Sequence, residues 1–190
     1  MKEHLRIAFL MTIVTTLIFG LIYPLAVTGV AQMIFPTKAN GSLIKNNGEV
    51  NGSSLLGQSF SAPGYFHSRP SAAGDGYDAN ASSGSNLGPT NKQLLARVQG
   101  DVEKLQAENP GIPIPADLVT TSGSGLDPDV SPAAAEFQVP RVARERGMPQ
   151  EELLDFVHKH ETPRQFGILG EPRVNVLQLN LDLDSLHPKK

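Results

Sequence analysis

IAFLMTIVTTLIFGLIYPLAVTGVAQMIFP, the stretch at residues 7–36, carries no charged side chain. A helix of about 20 apolar residues crosses the hydrocarbon core of a bilayer, and this stretch exceeds that length. Lys2 and Arg6 precede it, so the positive-inside rule places the N-terminus in the cytoplasm. We therefore predict three consecutive regions: a cytoplasmic N-terminus at residues 1–6, a transmembrane helix at residues 7–35 and one extracytoplasmic domain at residues 36–190.

A cleaved signal peptide is the alternative interpretation of this segment. The apolar core of a signal peptide spans about 7–15 residues, which is shorter than the stretch found here. The small residues within 27–31 imitate a cleavage site, but the length favours an uncleaved anchor in contact with membrane lipid. Pro24 lies inside the span, where its missing N–H is expected to kink the helix. Small residues around it suit close helix packing, so we predict that Pro24 contacts a larger membrane partner.

The composition narrows the chemistry of the rest of the chain. The chain has no cysteine, which excludes disulfides, thiolate zinc sites and a cysteine nucleophile. The formal net charge is −3 and no basic block occurs, so nothing indicates a nucleic-acid partner. Gly and Pro are abundant, at 18 and 15 residues, which predicts long loops rather than a helical bundle.

Local patterns predict an α+β domain. Residues 40–54 are expected to form a hairpin about an Asn47-Gly48 turn. Three helices are expected at residues 91–109, at 131–147 with a division or kink at Pro140, and at 149–159. Leucines alternate with polar residues from Leu177 to Leu183, which predicts a C-terminal strand. Gly167 and Gly170 mark a turn before that strand.

The loop at residues 58–89 has the Gly, Ser, Ala and Asn content of a linker, yet it carries aromatic side chains. Tyr65, Phe66 and Arg69 have the residue types that dominate interface hot spots, so we predict that they form a partner interface. The alternative is that the two aromatic residues pack in the core of their own domain.

The catalytic motifs that we considered are missing or weak. The chain contains no phosphate-binding loop, no nucleophile elbow, no zinc-protease helix and no Asp-Lys-Thr-Gly-Thr phosphorylation motif. His67, Ser68 and Asp75 do not prescribe a triad, because triads are defined by geometry rather than by proximity in sequence. His158 and His160 are two positions apart on a predicted helix and point in different directions, so we predict no metal site. We predict no catalytic residues in this chain.

Several stretches resemble the C subunit of the Kdp potassium-transporting P-type ATPase. They occur in the family's order and extend over nearly the whole chain: residues 64–71 (GYFHSRPS), 83–87 (SGSNL), 118–128 (LVTTSGSGLDP), 138–143 (QVPRVA) and 174–180 (VNVLQLN). Ser68 departs from the pattern, because the family usually has glycine there.

The resemblance implies an accessory subunit of a heteromeric pump in the cell inner membrane. Its partners would be a potassium-channel-like membrane subunit and a P-type catalytic subunit that hydrolyses ATP. The family is described as a catalytic chaperone that raises the ATP affinity of the catalytic subunit, and Gln138 is our candidate for a nucleotide contact. The chain would have no cofactor of its own, with ATP reached only through the complex. The alternative is a free-standing, membrane-anchored exported hydrolase.

Overall fold

A computed structural model describes residues 1–46 and 48–186. The chain divides into two compact units, Met1–Asn51 and Gly52–Lys190. Each unit is described by itself.

The first unit is dominated by one uninterrupted helical span, Lys2–Ile34, of 33 residues. It comprises helix α1 (Lys2–Thr15), a π-helical segment (Thr16–Ile22) and helix α2 (Tyr23–Ile34). The span is long and apolar enough to cross a membrane. The predicted long apolar helix at the N-terminus is therefore confirmed, and a short helix α3 (Pro36–Ala39) follows it.

Pro24 lies in the first turn of α2, directly after the π-helical segment. Proline has no N–H, so it cannot donate the usual hydrogen bond to the carbonyl of Gly20. The chain responds with wider turns in which the Tyr23 N–H donates to the Ile18 carbonyl, five residues back. The helix accommodates its proline by this local change of hydrogen-bonding pattern and continues through it.

Two strands follow the helical span and pair with each other as predicted. They are β1 (Leu43–Asn46) and β2 (Glu49–Ser53). Gly48 has φ = +86°, the left-handed conformation that glycine adopts without strain. Asn47, the other residue of the predicted turn, lies outside the described residues.

Over its described residues, 52–186, the second unit combines four α-helices with a small antiparallel sheet. The helices are α4 (Lys92–Glu108), α5 (Pro132–Arg146), α6 (Gln150–Lys159) and α7 (Val176–Leu186). The strands are β3 (Asp129–Val130), β4 (Glu161–Thr162) and β5 (Arg173–Asn175), in the order β3-β5-β4. Val130 lies opposite Val174, and Glu161 also pairs with Val174. The fold is a mixture of helix and strand, as predicted.

Helix α5 provides much of the core and packs against α6. Its buried residues contact apolar side chains of α6, β5 and α7 in one cluster that includes Phe137, Val142, Leu153, Val174 and Leu179. Within this cluster the side chains are removed from water, which contributes about 25 cal/mol for each Å² of apolar surface buried.

Capping residues begin and end the predicted helices where the sequence indicates. The Asn91 Oδ1 atom accepts from the Gln93 N–H at the start of α4, and the Ser131 Oγ atom accepts from the Ala134 N–H at 3.1 Å in α5. Gly147 ends α5 with φ = +67°. Pro140 does not divide α5, because its neighbours Val139 and Val142 are buried in the core and packing outweighs the lost hydrogen bond.

The predicted C-terminal strand is wrong, since residues 176–186 form helix α7. The Asn175 Oδ1 atom accepts from the Gln178 N–H at 3.1 Å, as an N-cap does. The helix buries Val176, Leu179 and Leu183, which are three and four residues apart and share one face. Alternating leucines are compatible with a buried helical face as well as with a buried strand face. In the folded domain, packing against the core favours the helix.

The chain between β2 and α4 is mostly irregular. Part of it packs closely against the backbone of Gly125, which lies in the loop before β3. Gly125 has φ = +68°, and a Cβ atom there would lie 2.5 Å from the Ser83 carbonyl oxygen and 2.7 Å from the Ala73 nitrogen. No side chain fits in this position. Gly123, two residues earlier, borders open space, because a Cβ atom added there would meet nothing within 4 Å.

We therefore expect Gly125→Ala to lower the free energy of unfolding by about 3 kcal/mol, from backbone strain and the clash with Ser83 and Ala73. Gly123→Ala is the matched control and should change it by less than about 0.5 kcal/mol. Chemical denaturation of the two variants measures both values. Equal stability of the two variants would contradict the close packing of Gly125 against Ser83 and Ala73.

Candidate functional site

The segment at residues 63–67 is held by side chains instead of by a neighbouring strand. Five consecutive carbonyls in this segment accept hydrogen bonds from two helices. Arg141 donates to Pro63 and Tyr65, Arg146 to Gly64, Asn180 to Phe66, and Gln138 to His67. The carbonyls of buried residues such as Gly64 and Phe66 must be paired, and α5 and α7 provide a partner for each of the five.

Asn180 of α7 pairs with both backbone groups of Phe66. Its Oδ1 atom accepts from the Phe66 N–H at 2.9 Å, and its Nδ2 atom donates to the Phe66 carbonyl at 2.9 Å. Asn180 is only 1% exposed, so these bonds are shielded from water. The side-chain amide therefore reproduces the donor–acceptor pair that an adjacent β-strand offers.

Gln138 of α5 does the same for His67 from its own helix. Its Oε1 atom accepts from the His67 N–H at 2.7 Å and from Arg141 Nη2 at 2.8 Å. Its Nε2 atom donates to the His67 carbonyl at 3.0 Å and to the Ala134 carbonyl at 3.1 Å. An amide has two donors and two principal acceptor positions, and all four are used here.

Two arginines complete this network with buried charges. Arg141 Nε donates to Glu108 Oε1 at 2.7 Å, and both side chains are largely buried. Arg146 donates to Asp184 at 2.8 Å and lies over the Tyr65 ring, 4.9 Å from its centroid. The Tyr65 hydroxyl donates to the other oxygen of Asp184, and this hydrogen bond, together with burial, raises the pKa of Tyr65.

A cleft of about 480 Å³ borders this network. Its walls include the charged side chains of Arg69, Asp101, Lys104 and Glu108, and Gln138 and Arg141 also line it. Burial, and then the nearby Arg141 charge, lower the pKa of His67, so its ring is neutral at pH 7. The cleft therefore presents mixed charge to a ligand or partner.

The interface prediction does not fit Phe66, whose ring is fully buried in the core. The alternative interpretation is correct for this residue, because its backbone is fastened to Asn180 and its ring belongs to the same apolar cluster as the buried side chains of α5. Tyr65 is partly buried and bonded to Asp184. It retains exposed surface, so a partner contact through Tyr65 stays a prediction.

Arg69 lies in the wall of the cleft and is partly exposed. Its Nη1 atom donates to Asp127 at 3.0 Å and Nη2 to Thr120 at 3.4 Å. Its Nε atom is buried and makes no hydrogen bond within the described part of the chain. Arg69 and Pro24 both stay predicted partner contacts.

The nucleotide-contact prediction does not fit the geometry of Gln138. The residue borders the cleft, but it is 2% exposed and its amide is saturated by internal hydrogen bonds. A nucleotide would have to displace the His67 backbone or Arg141 to bind this amide.

The residues considered for catalysis have separate structural partners. The His67 Nε2 atom lies 3.2 Å from the Ala62 carbonyl, and the Ser68 hydroxyl donates to the Gln58 carbonyl at 3.3 Å. His158 contacts Glu136, whereas His160 contacts Asp182. Among the described residues, no group of three or more His, Asp or Glu side chains is arranged to hold a metal ion.

Sequence reasoning does not identify Asn180, Arg141, Arg146 and Asp184 as parts of one network. The strand prediction places Asn180 and Asp184 on a polar strand face, whereas on a helix they are four residues apart and face the same side. A helical interpretation of residues 176–186 would have placed both on one helix face, although not beside the 63–67 segment.

One N-terminal helix that is long and apolar enough to cross a membrane, the single such helix among the described residues, is followed by a mixed helix-and-strand unit, and this arrangement fits a single-pass membrane protein. Residues 5–185 match the family described as K+-transporting ATPase, c chain, and the chain belongs to this family. The resemblance seen in the motifs is confirmed.

Close relatives share most of the sequence along its entire length. The chain is 60% identical to the potassium-transporting ATPase KdpC subunit of Koribacter versatilis, over 99% of this chain and 97% of that protein. It is 57% identical to the KdpC subunit of Caulobacter vibrioides, over 99% and 96%. It is 58% identical to the KdpC subunit of Gemmatimonas aurantiaca, over 98% and 94%.

The pairing of Asn180 with Phe66 predicts a large stability loss for Asn180→Leu. Leucine has a similar volume but leaves a buried N–H and a buried carbonyl unpaired, so we expect about 3 kcal/mol less unfolding free energy. Gln178→Leu removes an exposed amide from the same helix and is the matched control, with a change below about 0.5 kcal/mol. Denaturant titration compares the two, and a neutral Asn180→Leu would show that the amide does not hold the segment.

Proposed function

We propose that this chain is a non-catalytic accessory subunit of a potassium-transporting ATPase complex. The observation that carries the proposal is the match to the family over residues 5–185. Relatives that bear the name KdpC subunit align with this chain along nearly their whole length, which supports the same role for the chain as a unit.

The proposed partners are a potassium-channel-like membrane subunit and a P-type subunit that hydrolyses ATP. Two features of this chain support a role without catalysis of its own. The sequence contains no phosphate-binding loop or phosphorylation motif. His67 and Ser68 are bonded to backbone carbonyls and not to each other. A free-standing hydrolase is not favoured, because it would need a nucleophile and base in contact.

The proposal includes a single span with the N-terminus in the cytoplasm and the main domain outside, in the cell inner membrane. Lys2 and Arg6 support this orientation through the positive-inside rule. Cytoplasmic ATP would then lie across the membrane from the domain. Any effect on the ATP affinity of the catalytic subunit would be a coupling free energy transmitted through the complex, with no direct contact with nucleotide.

The orientation is testable because the chain has no cysteine, so one engineered thiol is a unique label site. Ser185→Cys, at an exposed position near the end of α7, should react in intact cells with a reagent that does not cross the membrane. His4→Cys is the matched control and should react only after the membrane is opened. Labelling of position 185 from the cytoplasmic side alone would refute the orientation.

The accessory role predicts that ATP hydrolysis depends on this chain although the chain hydrolyses none. Purified alone, it should show no ATPase activity and move no potassium. Potassium-stimulated ATPase activity of the partner subunits should fall at least about tenfold in its absence, corresponding to about 1.4 kcal/mol or more. Equal activity with and without the chain, at both limiting and saturating ATP, would contradict the proposal.

A further inference from the structure

A short hairpin connects β4 to β5 and exposes three large apolar side chains at its tip. Phe166 is 91% exposed, Ile168 76% and Leu169 54%. Single exposed apolar residues are common on protein surfaces, but three within four positions form a patch that marks an interaction site. These three side chains do not contribute to the core of the domain, since none of them belongs to its hydrophobic cluster.

The backbone of this tip is fixed by its own hydrogen bonds. The Gln165 N–H donates to the Leu169 carbonyl at 2.8 Å, and the Leu169 N–H donates to the Gln165 carbonyl at 2.9 Å. Arg164 and Glu171 form an ion pair across the base of the hairpin. The apolar side chains are therefore presented on a closed frame.

Phe166 is held in a conformation that phenylalanine disfavours. Its φ is +54°, in the left-handed region, followed by Gly167 at +76°. Asparagine or glycine adopts this region more readily than an aromatic residue. An exposed aromatic side chain at such a position lowers the stability of the free domain, a cost that binding to a partner would offset.

We propose that this tip docks into an apolar pocket on another protein, with Phe166 and Ile168 as its anchors. A rigid frame reduces the conformational entropy that is lost on binding. It also fixes the direction of each side chain, which favours binding to a protein pocket of complementary shape. A fluid bilayer requires no such fixed geometry. Residues 165–170 carry no charge, and Arg164 is neutralised by Glu171, so the tip lacks the cationic residues that favour an anionic lipid surface.

The proposal rests on the proposed function in one respect: the protein that provides the pocket is a membrane subunit of the same pump. A subunit that works only in a complex needs contacts beyond its membrane helix. A second contact by the hairpin raises the effective affinity of the whole chain without either contact being strong.

Photo-crosslinking in the assembled complex identifies the occupant directly. The full chain carrying a benzophenone analogue of phenylalanine at position 166 should crosslink to a peptide of a partner subunit. The same analogue at Leu95, an exposed apolar position on α4 that is 56% accessible, is the control and should give no such product. Adducts of position 166 with lipid, or with a second copy of this chain, would overturn the proposal.

Phe166→Asn tests the energetic part, because asparagine tolerates positive φ and keeps the hairpin folded. We expect at least about tenfold weaker recovery of the partner subunits with this variant, and with Ile168→Asn, at an unchanged or higher melting temperature. Leu95→Gln should assemble like the wild type.

The outcomes separate the two proposals. Assembly of the wild-type chain together with unaltered assembly of both hairpin variants overturns this inference alone. Failure of the wild-type chain to assemble with the partner subunits overturns the proposed function, and this inference with it.

Discussion

The pairing of the Asn180 amide with the Phe66 backbone is the interaction on which the rest of the domain depends. A strand buried beside helices normally obtains its hydrogen bonds from another strand, because unpaired backbone groups are costly away from water. Here α7 and α5 provide amide side chains instead, Asn180 for Phe66 and Gln138 for His67. Because side-chain amides take the place of a neighbouring strand, an irregular segment can cross the core and bury the Phe66 ring.

Two arginines add further side-chain hydrogen bonds to the same segment and connect it to carboxylates nearer the surface. Arg141 ties the carbonyls of Pro63 and Tyr65 to Glu108 of α4, and Arg146 ties Gly64 to Asp184 of α7. Arg141 and Glu108 are both largely buried, so removing one of them leaves an uncompensated charge, which costs about 3–5 kcal/mol. The result is a loop with little regular structure that is nevertheless connected to three helices and forms one wall of the charged cleft.

The two units expose different kinds of surface to possible partners. The helical span carries no charged side chain from Ile7 to Ile34 and accommodates Pro24 through the preceding π-helical segment. The domain offers a mixed-charge cleft and a closed apolar hairpin, both carried on an internally bonded framework. A cleft and an apolar hairpin on a fixed framework are features that the proposed accessory subunit would need in order to act by binding to its partners.

The sequence by itself determined the long apolar N-terminal helix, the helices α4 to α6 and the family, because these follow from composition, helical periodicity with local caps on α4 and α5, and ordered motifs. It predicted a strand at Leu177–Leu183, where the structure has helix α7, since alternate leucines satisfy a strand and a helical face equally well. It left Phe66 open between a partner interface and the core of the domain, and it contained no sign that the Gln138 amide is saturated within the domain. Only the tertiary structure decided these points, because burial of a side chain and the partner of an amide depend on residues more than 70 positions away.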